Sequence, residues 1–320
     1  MVTGVFVKPN SNSSIHNLRD FFKYVNKNKS LSFGIFILSI IVFMALFADY
    51  ISPYHFAERN ANCTQEYTSS EGFCRYSPPS WTLDPTDFSH IMGTNLLGRD
   101  VFSRVIYGSR LALQMSLTAT VIALTIGIPM GVLSGYFGGF VDRLLNSISD
   151  AIYSFPSLLL AISLAIALSE YGDLGILMAV SVATAVVYIP LYFKVARSQV
   201  LRIKTEAYID AGKSMGASNI TIIVKYVIPN ILAAPLALIP FNMTEAILTN
   251  AGLAFLGLSV QSPTADWGFD VFVNRGLTKV RSRSWLILFP GFFIFLLSFA
   301  YSLIGDALND KFNPMINEGD

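Results

Sequence analysis

The chain has 320 residues, of which 53% are hydrophobic and 13% charged, and its mean hydropathy is +0.53. No single soluble core hides that much apolar surface, which excludes a disordered chain, a collagen-like fibre and a water-soluble enzyme. The 22 basic and 21 acidic residues leave a net charge of +1, without the concentrated basic face that nucleic acid requires, and His16, His55, His90 and two cysteines are too scattered for a metal cluster. An integral membrane protein remains.

Crossing a bilayer takes about 20 mainly apolar residues. Ahead of the first such stretch, Ile15, Leu18, Phe22 and Val25 recur at helical spacing beside Arg19, Lys23 and Lys27. This pattern fits a helix lying on the membrane surface, or an ordinary amphipathic lead-in. No small-residue cleavage site follows the first apolar run, so the segment does not read as a secretory signal. Six spans are expected: Leu31 to Ala48, Leu111 to Val141 with a turn at Gly135-Tyr136-Phe137-Gly138-Gly139, Ala151 to Ser169 extended back through Asp150, Leu174 to Phe193, Tyr226 to Thr244, and Trp285 to Gly305. Ala246 to Ala265 is uncharged but broken by Gly252, Gly257 and Pro263, and is expected to be a packed or re-entrant outer segment.

Lysines and arginines before the first span and between spans four and five place both termini in the cytoplasm. Lys279, Arg281 and Arg283 run against that rule, in a loop long enough to weaken it. The resulting division is a cytoplasmic segment 1–30, a first transmembrane helix 31–50, an extracytoplasmic loop 51–110, a core 111–305 containing an inner loop at 201–220, and a cytoplasmic tail 306–320. The outer loop holds Cys63 and Cys74, on the side where disulfides persist; a bridge and two unpaired thiols both stand open.

Ala119, Ala123, Gly127, Gly131 and Gly135 recur every fourth residue along span two, a groove for close helix packing. Two acids fall within spans, Asp150 and Glu245, without a basic partner in the membrane. Asp150 reads as structural, near a helix N-terminus. Glu245, placed at the outer end of span five, either touches substrate or merely reaches outer water. Pro156, Pro190 and Pro240 mark bends.

The inner loop is the informative segment. Tyr208, Ala211 and Met215 share one face of a short amphipathic helix, Gly216 is placed to end it in the left-handed conformation, and Ser218 is placed to cap the next helix. The stretch Ala207 to Ser214 loosely imitates a phosphate loop, but it lacks the first Gly and a preceding strand, so no nucleotide is expected on this chain. A helix, a sharp turn and a second helix at the membrane surface suit docking to another protein.

Asp210-Ala211-Gly212, then Gly216, then Tyr226-Val227-Ile228-Pro229 resembles the "EAA" coupling motif of ABC-importer permeases, with Asp for Glu, Gly for the second Ala and Tyr for Ile. Gly93-Thr94-Asn95-Leu96-Leu97-Gly98-Arg99-Asp100 with Ser103-Arg104 and Tyr107-Gly108, the Gly135 to Gly139 turn with Asp142, Phe255-Leu256-Gly257-Leu258 through Pro263 to Trp267-Gly268, Gly305-Asp306 and Asn313-Pro314 are similar to the C-type subunit of the dipeptide/oligopeptide permease family. Asn250 stands where that family often has Glu.

The resemblance implies an all-α integral membrane protein of the type I ABC importer permease fold. It also implies a second permease subunit, two cytoplasmic ATPase subunits and an extracytoplasmic substrate-binding protein, in an inner membrane. Tyr208, Asp210, Ala211, Gly212, Met215, Gly216, Ala217 and Pro229 would couple to the ATPases, and Glu245 and Asn250 would line the path. No catalytic residue, cofactor or metal is expected. The family carries peptides, nickel complexes or oligosaccharides, and peptides are the expected class. The rival, an autonomous secondary transporter or channel, would need inverted repeats or a coupling-ion site, and the span pattern shows neither.

Overall fold

The computed structural model describes residues 25, 27–59, 72, 74–82, 89–170, 175–260, 262–275 and 283–312. Cys63, Lys279, Arg281, Asn313, Pro314 and the expected surface helix from Ile15, apart from Val25 and Lys27, lie outside them. Among the described residues the chain is helical, with one isolated bridge between Thr94 and Asp100 and no strand. Five helices are long and apolar enough to cross a membrane, and the number is six if one bent pair is counted as a single span.

Helix α1, Lys29–Leu46, starts where the Asn28 side chain accepts a hydrogen bond from the Leu31 amide at 3.1 Å. A short helical turn, Ala48–Ile51, follows it. Helix α2, Val101–Phe137, begins ten residues before the uncharged stretch, because the Asp100 carboxylate caps it through the Ser103 amide at 2.7 Å. The expected outer loop therefore ends at residue 100 rather than 110. At about 1.5 Å per residue, α2 is about 55 Å long and outreaches the bilayer. It also runs through Gly135, so the expected five-residue turn shrinks to Gly138 and Gly139, both with positive φ.

The third span differs most from expectation. Helix α3, Gly139–Tyr153, and helix α4, Ser157–Glu170, meet at a 95° bend. Pro156 lacks the amide that would continue the helix and disfavours helical backbone at Phe155. Asp150 is therefore on α3, before the bend. Helix α5, Gly175–Ile203, carries Pro190 inside it and extends ten residues past the expected end of span four.

Helix α6, Ala207–Ser214, follows a short turn. Helix α7, Asn219–Ala237, is a crossing built of short pieces, with a π-helical turn at Ile223–Val227 and breaks near Pro229 and Pro235. Helix α8, Ile239–Phe255, takes Pro240 in its first turn and absorbs much of the segment expected to re-enter from outside. Helix α9, Trp267–Asn274, is short. Helix α10, Trp285–Phe312, stays helical seven residues beyond the expected end of the last span, through Asp306 and Asp310.

Helices α2 and α5 run parallel as the central pair. A Cβ on Gly127 would lie 2.7 Å from the Ile189 carbonyl oxygen, and one on Gly131 would lie 2.5 Å from that of Phe193. On Gly135 it would meet the Val200 Cβ at 2.8 Å. The small-residue stripe is this seam. Its core, including Ala119, Ala123, Tyr192, Ala196 and Val200, continues into Ile209 of α6 and into Ile222, Val227 and Ile231 of α7. Helix α6 thus sits at the α2 C-terminal end, and α9 sits at the opposite end.

Candidate functional site

Helix α6 is held from behind and open in front. Ile209 is fully buried and Gly212 is covered, a Cβ there standing 3.9 Å from Tyr226. Tyr208, Asp210, Ala211 and Met215 face outward, Met215 with 77% of its surface exposed. Gly216 has φ +79 and closes the helix. Its amide donates to the Lys213 carbonyl at 2.9 Å, and the Ala217 amide donates to that of Gly212 at 3.1 Å. The Ser218 hydroxyl then accepts from the Thr221 amide at 3.2 Å, capping α7. Pro229 lies just beyond the π-helical turn. The helix, turn and cap match the sequence expectation; the inward anchor, Ile209, did not stand out from its apolar neighbours.

Ionic and hydroxyl contacts fix this end to the central pair. Lys204 Nζ donates to the Tyr136 carbonyl at 2.6 Å, and the Tyr136 hydroxyl donates to Asn219 Oδ1 at 2.9 Å. Arg197 clasps Asp142 through Nε at 2.6 Å and Nη2 at 2.8 Å. Asp142 also accepts from Ser134 and from Asn146. One carboxylate therefore ties α2, α3 and α5 at the Gly138-Gly139 corner.

Further into the helices, the structure separates Glu245 from Asn250. Asn250 is buried, accepting from Thr184 Oγ1 at 2.8 Å, which fastens α8 to α5. Glu245 is exposed on α8, with Leu248 exposed beside it. It is not at an outer helix end: Thr249, one turn later, shares a 2.8 Å hydrogen bond with Tyr188, near the midpoint of α5. Asp150 is not without a basic partner. Lys194 of α5 meets it at 2.8 Å, and Lys194 was missed because it adjoins the apolar run assigned to span four.

At the opposite end the remaining motif residues form one knot. Arg104 reaches both Asp270 carboxylate oxygens through Nε at 3.0 Å, and its terminal nitrogens donate to the carbonyls of Phe56, Pro263 and Thr264. Arg99 donates to Ser262 at 2.7 Å, and Trp267 Nε1 donates to the Val105 carbonyl at 2.9 Å. The Trp267 ring lies where a Gly108 Cβ would be, 2.5 Å away. His90 Nδ1 is 3.1 Å from Asp100. Asp266 caps α9 and accepts from Ser259 at 2.8 Å; burial nevertheless pushes its carboxyl up to about 6. Cys74 is buried and disulfide-bonded. Among the described residues no group of three acids, histidines or cysteines is arranged to hold a metal.

Comparison with known proteins shows the family. Residues 127–314 match the model of the binding-protein-dependent transport system inner membrane component, and residues 17–79 match the N-terminal transmembrane domain of oligopeptide transport permease C. The chain is 35% identical over 302 residues to the dipeptide transport system permease protein DppC of Escherichia coli, covering 94% of each chain. It is 34% identical to the protein of that name from Alkalihalophilus pseudofirmus, over 92% of this chain and 89% of that one. A di/tripeptide transport system permease protein DppC of Pseudomonas aeruginosa is 32% identical, over 93% and 92%. The fold is also that of a chain of the MetNI methionine ABC transporter in an inward-facing conformation, with TM-score 0.50 and 20% identity, over 64% of this chain and 96% of that one. From its central helical core to its N-terminal membrane domain, this chain belongs to the inner membrane components of binding-protein-dependent transport systems.

Proposed function

We propose that the chain is one of two non-identical permease subunits of an ATP-driven importer of short peptides. Both termini and α6 lie in the cytoplasm, and the end carrying α9 lies outside. Two ATPase subunits power the importer, one of them docked on the outward face of α6, a binding protein delivers substrate to the opposite end, and this chain supplies no catalytic group of its own. Relatives named as dipeptide and di/tripeptide permeases support the cargo class.

The observation that carries the coupling reading is the pair of faces on α6. Tyr208, Ala211 and Met215 are exposed, while Ile209 and Gly212 are packed against α7. A partner pushing on this helix therefore moves α7 with it. The π-helical turn and the proline breaks give α7 places to bend, and ATP-driven closure of the ATPases would tilt the crossing helices outward.

Gly216→Val tests this reading. A branched side chain at φ +79 is strained, by about 1–2 kcal/mol or more, and should reorient α6 against its partner. Peptide uptake by the assembled transporter should fall at least tenfold while ATP hydrolysis persists. Unchanged uptake refutes the coupling role. Loss of the complex itself would make the turn structural instead.

A further inference from the structure

The 18 residues of α1 rise about 27 Å, close to the thickness of a hydrocarbon core, so Leu46 marks one border of the apolar layer. Asp49 stands about one turn beyond it. Arg110 of α2 is fixed at the same level, its Nε donating to the Ala45 carbonyl at 2.5 Å and its Nη2 to Asp49 at 2.9 Å. Phe43, Phe47 and Tyr50 of α1 are exposed here, where aromatic residues belong at a lipid–water interface. A cavity of about 350 Å³ opens at this depth, within the range of small-molecule sites. One wall carries Asp49, Arg110 and the exposed Gln114; the other carries the rings of His55, Phe56 and Tyr107, with centroids 4.2 to 5.7 Å apart.

The charges on these walls cancel without being used up. Hydrogen bonds from Arg110 and from the Tyr107 hydroxyl, at 2.8 Å, hold the Asp49 carboxyl below the usual range, so it is ionised at neutral pH. Its four lone-pair positions accept three bonds, two from Arg110 and one from Tyr107. Arg110 spends four of its five N–H groups on Asp49 and the Ala45 and Leu46 carbonyls. One lone pair and the ring faces therefore suit an ammonium, and one N–H with the Gln114 amide suits an anionic oxygen. A neutral but dipolar cavity favours a zwitterion over either ion alone. Because Asp49 and Arg110 are adjacent, that zwitterion must be compact. Two extended peptide residues set their ends about 7 Å apart, whereas two carbons separate the ammonium of ethanolamine from its phosphate ester oxygen.

We propose that this cavity binds the headgroup of a phosphatidylethanolamine lipid, its phosphate on Arg110 and Gln114 and its ammonium between Asp49 and the aromatic wall. Depth selects a lipid as the source of the zwitterion, since the cavity opens beside the exposed aromatic end of α1. The assignment is independent of the cargo and of which leaflet this end meets.

The test uses the complete permease–ATPase complex in detergent, titrated with dioleoyl-phosphatidylethanolamine, its N-acetylated form or dioleoyl-phosphatidylglycerol, with retained lipid counted by native mass spectrometry. Wild type should hold the ethanolamine lipid about fivefold better than either anionic lipid, through one exposed charge pairing and a cation–π contact. Asp49→Asn leaves the cavity positive and should bring both anionic lipids level with the ethanolamine lipid or above it. Asp49→Glu should keep the wild-type order. Phe56→Ala should weaken the ethanolamine lipid about threefold and leave the other two unchanged. Equal retention of the three lipids by wild type overturns the site, as does a wild-type order in Asp49→Asn. Dialanine that displaces the lipid at equal concentration makes the cavity a cargo subsite and overturns the lipid assignment. An Asp49→Asn complex that sheds its second permease subunit while keeping the wild-type lipid order makes Asp49 a subunit contact, and overturns it too.

Discussion

At the scale of single residues, absent atoms matter as much as present ones. Gly131 lets α2 and α5 approach until a Cβ would sit 2.5 Å from the Phe193 carbonyl oxygen, and backbone on both sides cannot yield cheaply. Gly131→Leu should destabilise the protein by about 1–3 kcal/mol or more, read as a lowered unfolding midpoint in detergent. A midpoint unchanged from wild type would mean that the seam is looser than it looks. Arg104 makes the opposite case, since five hydrogen bonds converge on one guanidinium. Arg104→Ala strands the buried Asp270 and should cost about 3–5 kcal/mol. Lys offers a point charge in place of the planar fork, so Arg104→Lys should rescue little of that, and full rescue would contradict the fork geometry. Asp266 gives the protein a pH dependence. Its folded-state carboxyl, at about 6, lies above the ordinary 3.8, so the native state holds the proton longer than the unfolded state does. Stability should therefore decline as pH rises from about 4 to 6, and Asp266→Asn should flatten that slope in thermal unfolding measured across the interval. A slope unchanged in the variant would assign the effect to another group.

At the scale of elements, the legible features were those that one turn of chain decides. The α6 helix, its Gly216 terminus and the Ser218 cap depend on φ, spacing and a hydroxyl, all local, and each formed as the residues indicate. The five small residues at every fourth position of α2 likewise announced their own groove. Boundaries were illegible wherever charge and helix part company. Asp100 starts α2 and Asp306 fails to stop α10, because an acid ends an apolar run without ending a helix. Apolar composition also conceals a bend, so Ala151 to Ser169 reads as one span although Pro156 turns it by 95°. Glu245 and Asn250 are five residues apart, too close for hydropathy to rank, yet their side chains face different surroundings. Lys194 and Asp150 became partners only through the fold.

At the scale of the whole molecule, two ends of different construction meet through one seam. The end that holds Arg104, Asp270 and Trp267 is cross-tied by buried polar contacts and resists deformation. The α6 end presents an exposed apolar face on a helix whose far side continues into the broken α7. Family membership was legible because its motifs are short and ordered along the chain. Peptide cargo was legible only through that resemblance, because no single residue of the chain announces it.

The central claim is that α6 is the cytoplasmic contact through which an ATPase moves this subunit. Met215→Cys, treated in native membranes with a short reagent that carries one thiol-reactive and one photoreactive group, measures it directly. A cross-linked product containing this chain and an ATPase subunit, changing in yield when ATP is trapped, is the predicted result. No adduct with any ATPase, or labelling of residue 215 by a membrane-impermeant thiol reagent added outside intact cells, would contradict it.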